Sequence, residues 1–318
     1  MGESTTHVGG HITLLFSISD DALLPRRQGS RGAGLCLKDG VKVTIERYDN
    51  NDEESSSEII VNDYNDQIIE GEHELLADLL EAFHSTYRLS GDISHRVVMT
   101  CELPLSQGFG MSAAGLLACA LALGEIHGVD DIGPLVRLAH RIERQHSAGL
   151  GDVLGLWAGG VALRTNPGSP PYPGKARGFS IDSEAILVWV VGASRHTSQY
   201  IDNADWKRAI NKAGNSSVKR LADRDWKPEA WPELLMESDR FAIGSGMLNE
   251  KDRSDLLADV HALVTQEGFG ETASCHLCML GSSLVILPKD LTNKPVFTEE
   301  LLQKIKHLGY GVMLTRIE

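Results

Sequence analysis

The sequence predicts a mixed α and β protein built as two packed halves. Three observations carry that expectation. The chain has 318 residues, more than one minimal domain needs and well suited to two. Strand-like apolar runs interleave with segments of helical period along its length. A stretch from Thr165 to Gly178 holds four prolines and three glycines, a composition that excludes a helix or a central strand and marks the divide. The first half then covers 1–165 and the second 166–318.

In the first half, His11 to Ile18 reads as a strand. A Gly- and Arg-rich loop follows from Pro25 to Gly34, then a hairpin over Leu35 to Arg47 that turns near Asp39-Gly40. Asn50 to Glu58 is acidic and polar, a solvated loop tip. Glu72 to Leu89 has helical period, with Leu75, Leu76, Leu79, Leu80 and Phe83 sharing a face. Ser94 to Leu103 is a strand. Met111 to His127 is small and aliphatic all round, the mark of a buried helix. Ile132 to Gln145 is a further helix with Pro134 in its first turn, where proline is tolerated. Gly149 to Gly151 breaks it, and Gly159 to Arg164 is a strand. The second half opens with a strand at Ala185 to Val191 and continues through polar helices to about Glu267. Strands follow near Cys275 to Leu287, then a helix at Thr298 to Leu308 and a strand at Gly311 to Ile317.

Hydrophobic residues make up 42% and charged residues 23%, an ordinary globular balance with enough apolar material for a core. The formal net charge of −14 argues against nucleic acid as a partner, because phosphate backbones need a basic footprint. An acidic protein that takes an anionic substrate must carry a local basic site. Five cysteines without dense spacing suggest free thiols in a reducing, cytoplasmic setting. Met1 to Gly10 lacks the basic-then-apolar pattern of a signal peptide. The apolar runs are too short and broken to span a membrane, so no membrane partner is expected.

The most informative stretch runs Pro104-Leu-Ser-Gln-Gly108-Phe109-Gly110-Met111-Ser112-Ala113-Ala114-Gly115, between a strand and the buried helix. Glycines let the backbone curl around a bulky anion. The helix start adds unpaired N–H groups and the positive end of its dipole. Ser112 can offer its hydroxyl to phosphate or to Mg²⁺. Gly168 to Ala176 is only a near miss to a P-loop, with one residue too many and no Ser or Thr after Lys175. Gly108-Phe-Gly110-Met-Ser-Ala113 satisfies a loose dinucleotide fingerprint. That fingerprint wants an acid at the end of a second strand, whereas this helix runs into Asp130-Asp131 and another helix. A third reading, P-x-x-x-G-[LF]-G-x-S-[AS]-[AS], is matched at every fixed position. The plain alternative is a Gly-Ala helix start with packing value alone.

Phosphoryl transfer to an alcohol needs neutralised phosphate charge and an acceptor for the hydroxyl proton. His140-Arg-Ile-Glu143 and Gly149-Leu-Gly151-Asp152 supply carboxylates at helical spacing and after a glycine turn. Glu143 could equally be a surface partner of Arg141 or Arg144, and Asp152 a helix cap. Cys275 and Cys278 form a lone pair in an apolar run, without the four ligands zinc needs, and read as core residues.

The third pattern is that of the GHMP kinases, and the chain resembles them in the order glycine loop, Glu143, glycine turn, Asp152. Within that superfamily, His11-Ile-Thr13, Gly29-Ser30-Arg31-Gly32-Ala33-Gly34-Leu35, the His140 to Asp152 block and Gly159-Gly160 resemble the archaeal pantoate kinases. The resemblance implies the two-domain α+β GHMP fold, with a ribosomal protein S5 domain 2-like N-terminal half, a ferredoxin-like C-terminal half and the active site between them. It implies ATP and Mg²⁺ as cofactors. Pro104, Gly108, Phe109, Gly110, Met111, Ser112, Ala113 and Ala114 would line the ATP phosphates. Ser112 and Glu143 would hold Mg²⁺, and Asp152 would be the base or the orienting carboxylate. It places the acceptor, pantoate, on Ser30, His140, Arg164 and Thr197, and it implies phosphorylation to 4-phosphopantoate on the way to coenzyme A. A mevalonate- or homoserine-type acceptor and a non-catalytic nucleotide-binding role are the alternatives. A homodimer is the family expectation. The Gly29 to Gly34 loop, with its N–H groups, a hydroxyl and a guanidinium, suits an anion. Arg164 can hold a carboxylate bidentately, and His196 adds to the basic site. The third glycine-rich motif of many GHMP kinases is reduced here to Gly281 alone, so no phosphate contact is assigned to Cys275 to Ser283.

Overall fold

The computed structural model describes residues 2–49, 57–193 and 203–318. The first sheet is organised by two long antiparallel strands, β1 (Gly2–Ser19) and β2 (Gly29–Asp49). The opposite edge of β2 is shared. β4 (Ile93–Cys101) pairs with its Val41 to Asp49 portion, and β5 (Val161–Asn166) with Gly32 to Leu35. β3 (Glu58–Asn62) lies parallel to β4, reached through α1 (Glu74–Tyr87). A crossover of that length is what a parallel pair requires.

Two expectations fail on β2. Asp39-Gly40 is not a hairpin turn, because neither residue takes the positive φ that a two-residue turn of this type needs. The strand instead carries two extra residues where Gly9 pairs with Gly40 and His11 with Cys36. At this bulge Leu37 turns to pair with Ile317 of β10 (Tyr310–Ile317), joining the two sheets. The Gly29 to Gly34 segment is not a loop but the start of β2, in register with Ser19 to Thr13. Its glycines reflect close approach of neighbours. A β-carbon at Gly32 would lie 2.3 Å from the Leu15 carbonyl oxygen and 2.8 Å from the Arg164 guanidinium. β1 also begins earlier than His11, and Glu58 belongs to β3. The rest of the expected acidic loop tip, 50–56, lies outside the described residues.

α2 (Met111–Ile126) is buried almost throughout, packed between this sheet and α1 and α3 (Ile132–Gln145). Asp131 caps α3 by accepting from the Gly133 amide at 2.9 Å. Leu135, Val136, Leu138, Ala139 and Ile142 give α3 its buried face. A three-residue link, His146 to Ala148, leads to Gly149–Gly151 and the short α4 (Asp152–Ala158). β6 (Lys175–Phe179), at the end of the Pro- and Gly-rich stretch, pairs among the described residues only with β5, so it is an edge strand there, where such composition is tolerated.

The second sheet runs β10-β7-β9-β8, all antiparallel, with β7 (Ser183–Val190), β8 (Ala273–Cys278) and β9 (Ser283–Pro288). With helices between β7 and β8, and α8 (Glu299–His307) between β9 and β10, this is the ferredoxin-like order. Among the described residues the intervening helices are α5 (Ala204–Ala222), α6 (Trp231–Gly244) and α7 (Lys251–Gln266). α5 and α6 reach back to pack on β1. Cys275 and Cys278 are buried free thiols on β8. No described helix is long and apolar enough to cross a membrane.

Candidate active site

A cavity of about 500 Å³ opens beside the glycine loop and is bordered by Ser112, Asp152, Thr13, Met279 and Leu280. Its lining also includes the apolar side chains of Val61, Ile69, Met99 and Leu116. Both sheets contribute, because Met279 follows β8 and its amide donates to the Thr13 carbonyl on β1 at 2.8 Å.

The loop's curl depends on two glycines. Gly108 and Gly110 have φ of +79° and +74°, the left-handed region in which a β-carbon is strained. Space also forbids side chains there. A β-carbon at Gly110 would lie 2.6 Å from the His11 carbonyl oxygen, and one at Gly108 would lie 2.9 Å from that of Met279. The Phe109 carbonyl accepts from the His11 amide at 2.9 Å, which pins the loop to β1. Pro104, Gly108, Phe109, Gly110, Met111, Ser112 and Ala113 all border the cavity; Ala114 is buried in α2 behind them.

Asp152 reaches the same cavity from the start of α4, with its side chain 20% exposed. Its Oδ1 accepts from His11 Nδ1 at 2.7 Å and from the Thr13 hydroxyl at 3.2 Å, and Arg164 Nη1 lies 3.7 Å away. Burial pushes its proton affinity up. The His11 hydrogen bond and the charges around it outweigh burial, so the carboxyl stays below the ordinary carboxylate range. His11 is lowered as well, by burial and against the pull of Asp152.

Glu143 is neither a surface residue nor a wall of the open cavity. It is fully buried, and neither carboxylate oxygen has a hydrogen-bond partner. Gly149 packs against it so closely that a β-carbon there would lie 2.3 Å from Oε1. His140 Nδ1 is 3.5 Å from Oε2, and both His140 nitrogens lack partners as well. A buried carboxylate left this way is costly unless a cation compensates it. Oxygen donors at Ser112 and Glu143 fit a hard divalent cation in kind.

Ser30, His140 and Arg164, expected at the acceptor, are buried and do not border the cavity. Two of them meet around Gly151. Arg164 Nη1 donates to its carbonyl at 3.0 Å, and Nη2 to the Thr13 hydroxyl at 3.3 Å. A β-carbon on Gly151 would lie 2.4 Å from Ser30 Oγ. Gly29 to Gly34 lie in the β-ladder with β1, and Arg31 donates to Asn215 on α5 at 3.2 Å, so that segment is a strand and not a loop. Thr197 and His196 lie outside the described residues. The contact the sequence did not show is His11 and Thr13 on Asp152. Alternate strand residues share a face, so two polar side chains spaced by two in an apolar strand were the available signal.

Residues 74–160 match the GHMP kinases N terminal domain. The whole chain superposes on a solved structure described as a phosphotransferase related to the CoA biosynthesis pathway. The TM-score is 0.76 at 24% identity, covering 99% of this chain and 96% of that one. Residues 74–160 therefore carry a GHMP kinases N terminal domain, and the chain shares the α+β fold of that solved structure. Among its curated relatives are the pantoate kinases of Methanospirillum hungatei and Methanocaldococcus jannaschii. The first is 29% identical over 261 residues, 80% of each chain. The second is 26% identical over 272 residues, 84% of this chain and 90% of the relative.

Proposed function

We propose that this kinase transfers the γ-phosphoryl group of ATP to the primary hydroxyl of pantoate, giving 4-phosphopantoate for coenzyme A synthesis. The observation that carries the chemistry is the placement of the Asp152 carboxylate on the same cavity as the glycine loop and Ser112. The relatives' shared activity points to the acceptor.

The loop amides and the first turn of α2 cradle the phosphates, with the helix dipole adding positive potential. The apolar part of the cavity lining, Val61, Ile69, Met99 and Leu116, suits a nucleobase. Ser112 and Glu143 would hold Mg²⁺, which, when bound, neutralises charge on the phosphates. The two unmatched oxygens of Glu143 support that assignment. Asp152 accepts the acceptor hydroxyl and aims it at the phosphorus. Ser30, Arg164 and His140 are proposed to meet the acceptor. They cluster about Gly151 and Glu143, and Arg164 must exchange part of its present bonding to Gly151 and Thr13 for a substrate carboxylate. Division near the Pro- and Gly-rich stretch into an N-terminal ATP-binding half and a C-terminal half belongs to the same reading.

A coupled assay of ADP release with purified protein, Mg-ATP and a panel of pantoate, mevalonate and homoserine tests it. Turnover on pantoate at least about tenfold above the other acceptors is expected. Turnover on another acceptor and none on pantoate sinks the assignment.

A further inference from the structure

The His11 ring occupies a space that two other elements hold open. A β-carbon at Gly34 on β2 would lie 2.7 Å from its Nε2, and one at Gly155 on α4 would lie 2.4 Å away. The ring is wholly buried, Nε2 has no hydrogen-bond partner, and the one bond the imidazole makes is through Nδ1 to Asp152 Oδ1, at 2.7 Å. Packing alone does not call for a histidine there, since an apolar ring would fill the slot without a stranded polar atom. The Thr13 hydroxyl, on the same face of β1, reaches the same oxygen, and Arg164 also lies nearest to Oδ1. Among the described residues both side-chain hydrogen bonds to the Asp152 carboxylate end on Oδ1, while the residue borders the cavity.

We infer that His11 is the positioning residue for Asp152: its Nδ1–H, with the Thr13 hydroxyl, fixes Oδ1 so that Oδ2 is the oxygen presented to the acceptor hydroxyl. The inference rests on the kinase reading of this cavity. The proton belongs on Nδ1 because an ionised carboxylate can only accept. Without a donor at position 11, Oδ1 keeps the Thr13 hydroxyl at 3.2 Å, and Arg164, now 3.7 Å away, is the further donor that can close on it. Closing that gap turns the carboxylate and draws Oδ2 off line, the kind of small misplacement that costs turnover rather than binding. The groups that face Asp152 are His11 and Thr13 from β1 and Arg164 from β5. The charge of Glu143 on α3 reaches His11 and Arg164, and the Cys36 thiol on β2 is pushed up to about 12 by burial and stays neutral.

The test compares wild type with His11→Ala, His11→Asn and Gly155→Ala in two readouts. In the coupled assay with pantoate, His11→Ala should lose about 10- to 100-fold in kcat with the KM for ATP within about twofold. His11→Asn, whose amide can stand in for Nδ1–H, should recover much of the loss. Gly155→Ala should reproduce the loss with His11 still in place, because its methyl displaces the ring. In the second readout, ¹³C NMR of the Asp152 carboxyl, the titration midpoint should rise in His11→Ala and Gly155→Ala relative to wild type and return toward it in His11→Asn. An unchanged midpoint and kcat in His11→Ala overturns the inference. So does a loss equal in Ala and Asn that is shared by KM, which would mark a packing role. If wild type releases no ADP with any acceptor, the kinase reading fails, and the NMR titration still decides whether His11 holds Asp152.

Discussion

Replacing Glu143 by glutamine separates a metal-binding carboxylate from a structural one, because the two roles move stability in opposite directions. The side chain is fully buried, both oxygens lack hydrogen bonds, and His140 Nδ1 lies 3.5 Å from Oε2. An unmet buried polar group costs about 1–3 kcal/mol, and a charged one more. Glutamine keeps the shape and removes the charge. It also gives up the attraction of Arg144 and Arg164, both of which feel Glu143. We expect the ligand-free variant to be within about 1 kcal/mol of wild type or up to about 2 kcal/mol more stable. For a chain of this size that is a Tm change of a few degrees at most. Mg-ATP at about 100 times its Kd should stabilise wild type by about 2.7 kcal/mol, and most of that increment should vanish in Glu143→Gln, with turnover down about 100-fold. Differential scanning fluorimetry with and without Mg-ATP, beside the coupled assay, reads all three quantities. A ligand-free Tm lowered by more than about 6 °C, with the Mg-ATP increment and turnover intact, would show that Glu143 is an ion-pair partner of the arginines and nothing more.

Asp152→Ala should lower kcat by about 100-fold or more with little change in ATP affinity, measured by the same assay and by calorimetry; a loss confined to KM would remove Asp152 from the chemistry. Gly110→Ala places a β-carbon at φ +74° and 2.6 Å from the His11 carbonyl oxygen. It should cost about 1–3 kcal/mol in urea denaturation and raise the KM for ATP about tenfold or more. Asp152 has its folded proton affinity lowered, with burial opposing and His11, Arg164 and Thr13 prevailing. Its contribution to stability is therefore complete above the unfolded value and is lost as pH falls through the lower folded one. The gap in unfolding free energy between wild type and Asp152→Asn should accordingly be largest at pH 7 and shrink toward pH 2; a gap that widens in acid contradicts the assignment. Cys119 is buried and pushed up to about 12, and its four fellow thiols are buried too. Native protein should resist iodoacetamide and react only once unfolded, by mass spectrometry.

The parts of this molecule that could be read from sequence are those whose cause is local. Gly108 and Gly110 stand where the backbone needs positive φ, and a motif of spaced glycines records that need directly. The helices α1, α2 and α3 follow from apolar period and from Pro134 near a capped start. What escaped has causes remote along the chain. Gly29 to Gly34 looks like a turn-rich loop, because glycine marks a turn and a close approach in the same way. Only the carbonyl of Leu15 and the guanidinium of Arg164 pressing on Gly32 show which it is. Asp39-Gly40 carries a hairpin signal that the ladder with β1 overrides. His11 and Asp152 are 141 residues apart in sequence, and no local rule links a lone histidine in an apolar strand to an acid after a glycine turn. The acceptor residues divide in the same way. Ser30 and Arg164 meet around Gly151, while Thr197 belongs to a segment outside the described residues.

The surroundings of Asp152 also bear on which of its two expected roles the chemistry needs. A general base works best when its proton affinity lies near the working pH. His11, Arg164 and Thr13 hold this carboxylate in the other direction, ionised throughout the neutral range and weakly basic. Such a group is poorly suited to stripping a proton from an alcohol before attack. It is well suited to accepting a hydrogen bond from the hydroxyl and fixing the oxygen in line with the phosphorus. That is sufficient if the transferring group passes through a loose transition state, because the nucleophile then needs to lose its proton only late, when the new bond has made the hydroxyl acidic. The same cluster that weakens Asp152 as a base also makes its orientation insensitive to pH. Turnover should then keep the same dependence on this residue from pH 5 to pH 8, and a kcat that rises tenfold per unit across that range through ionisation of Asp152 would return it to the role of base.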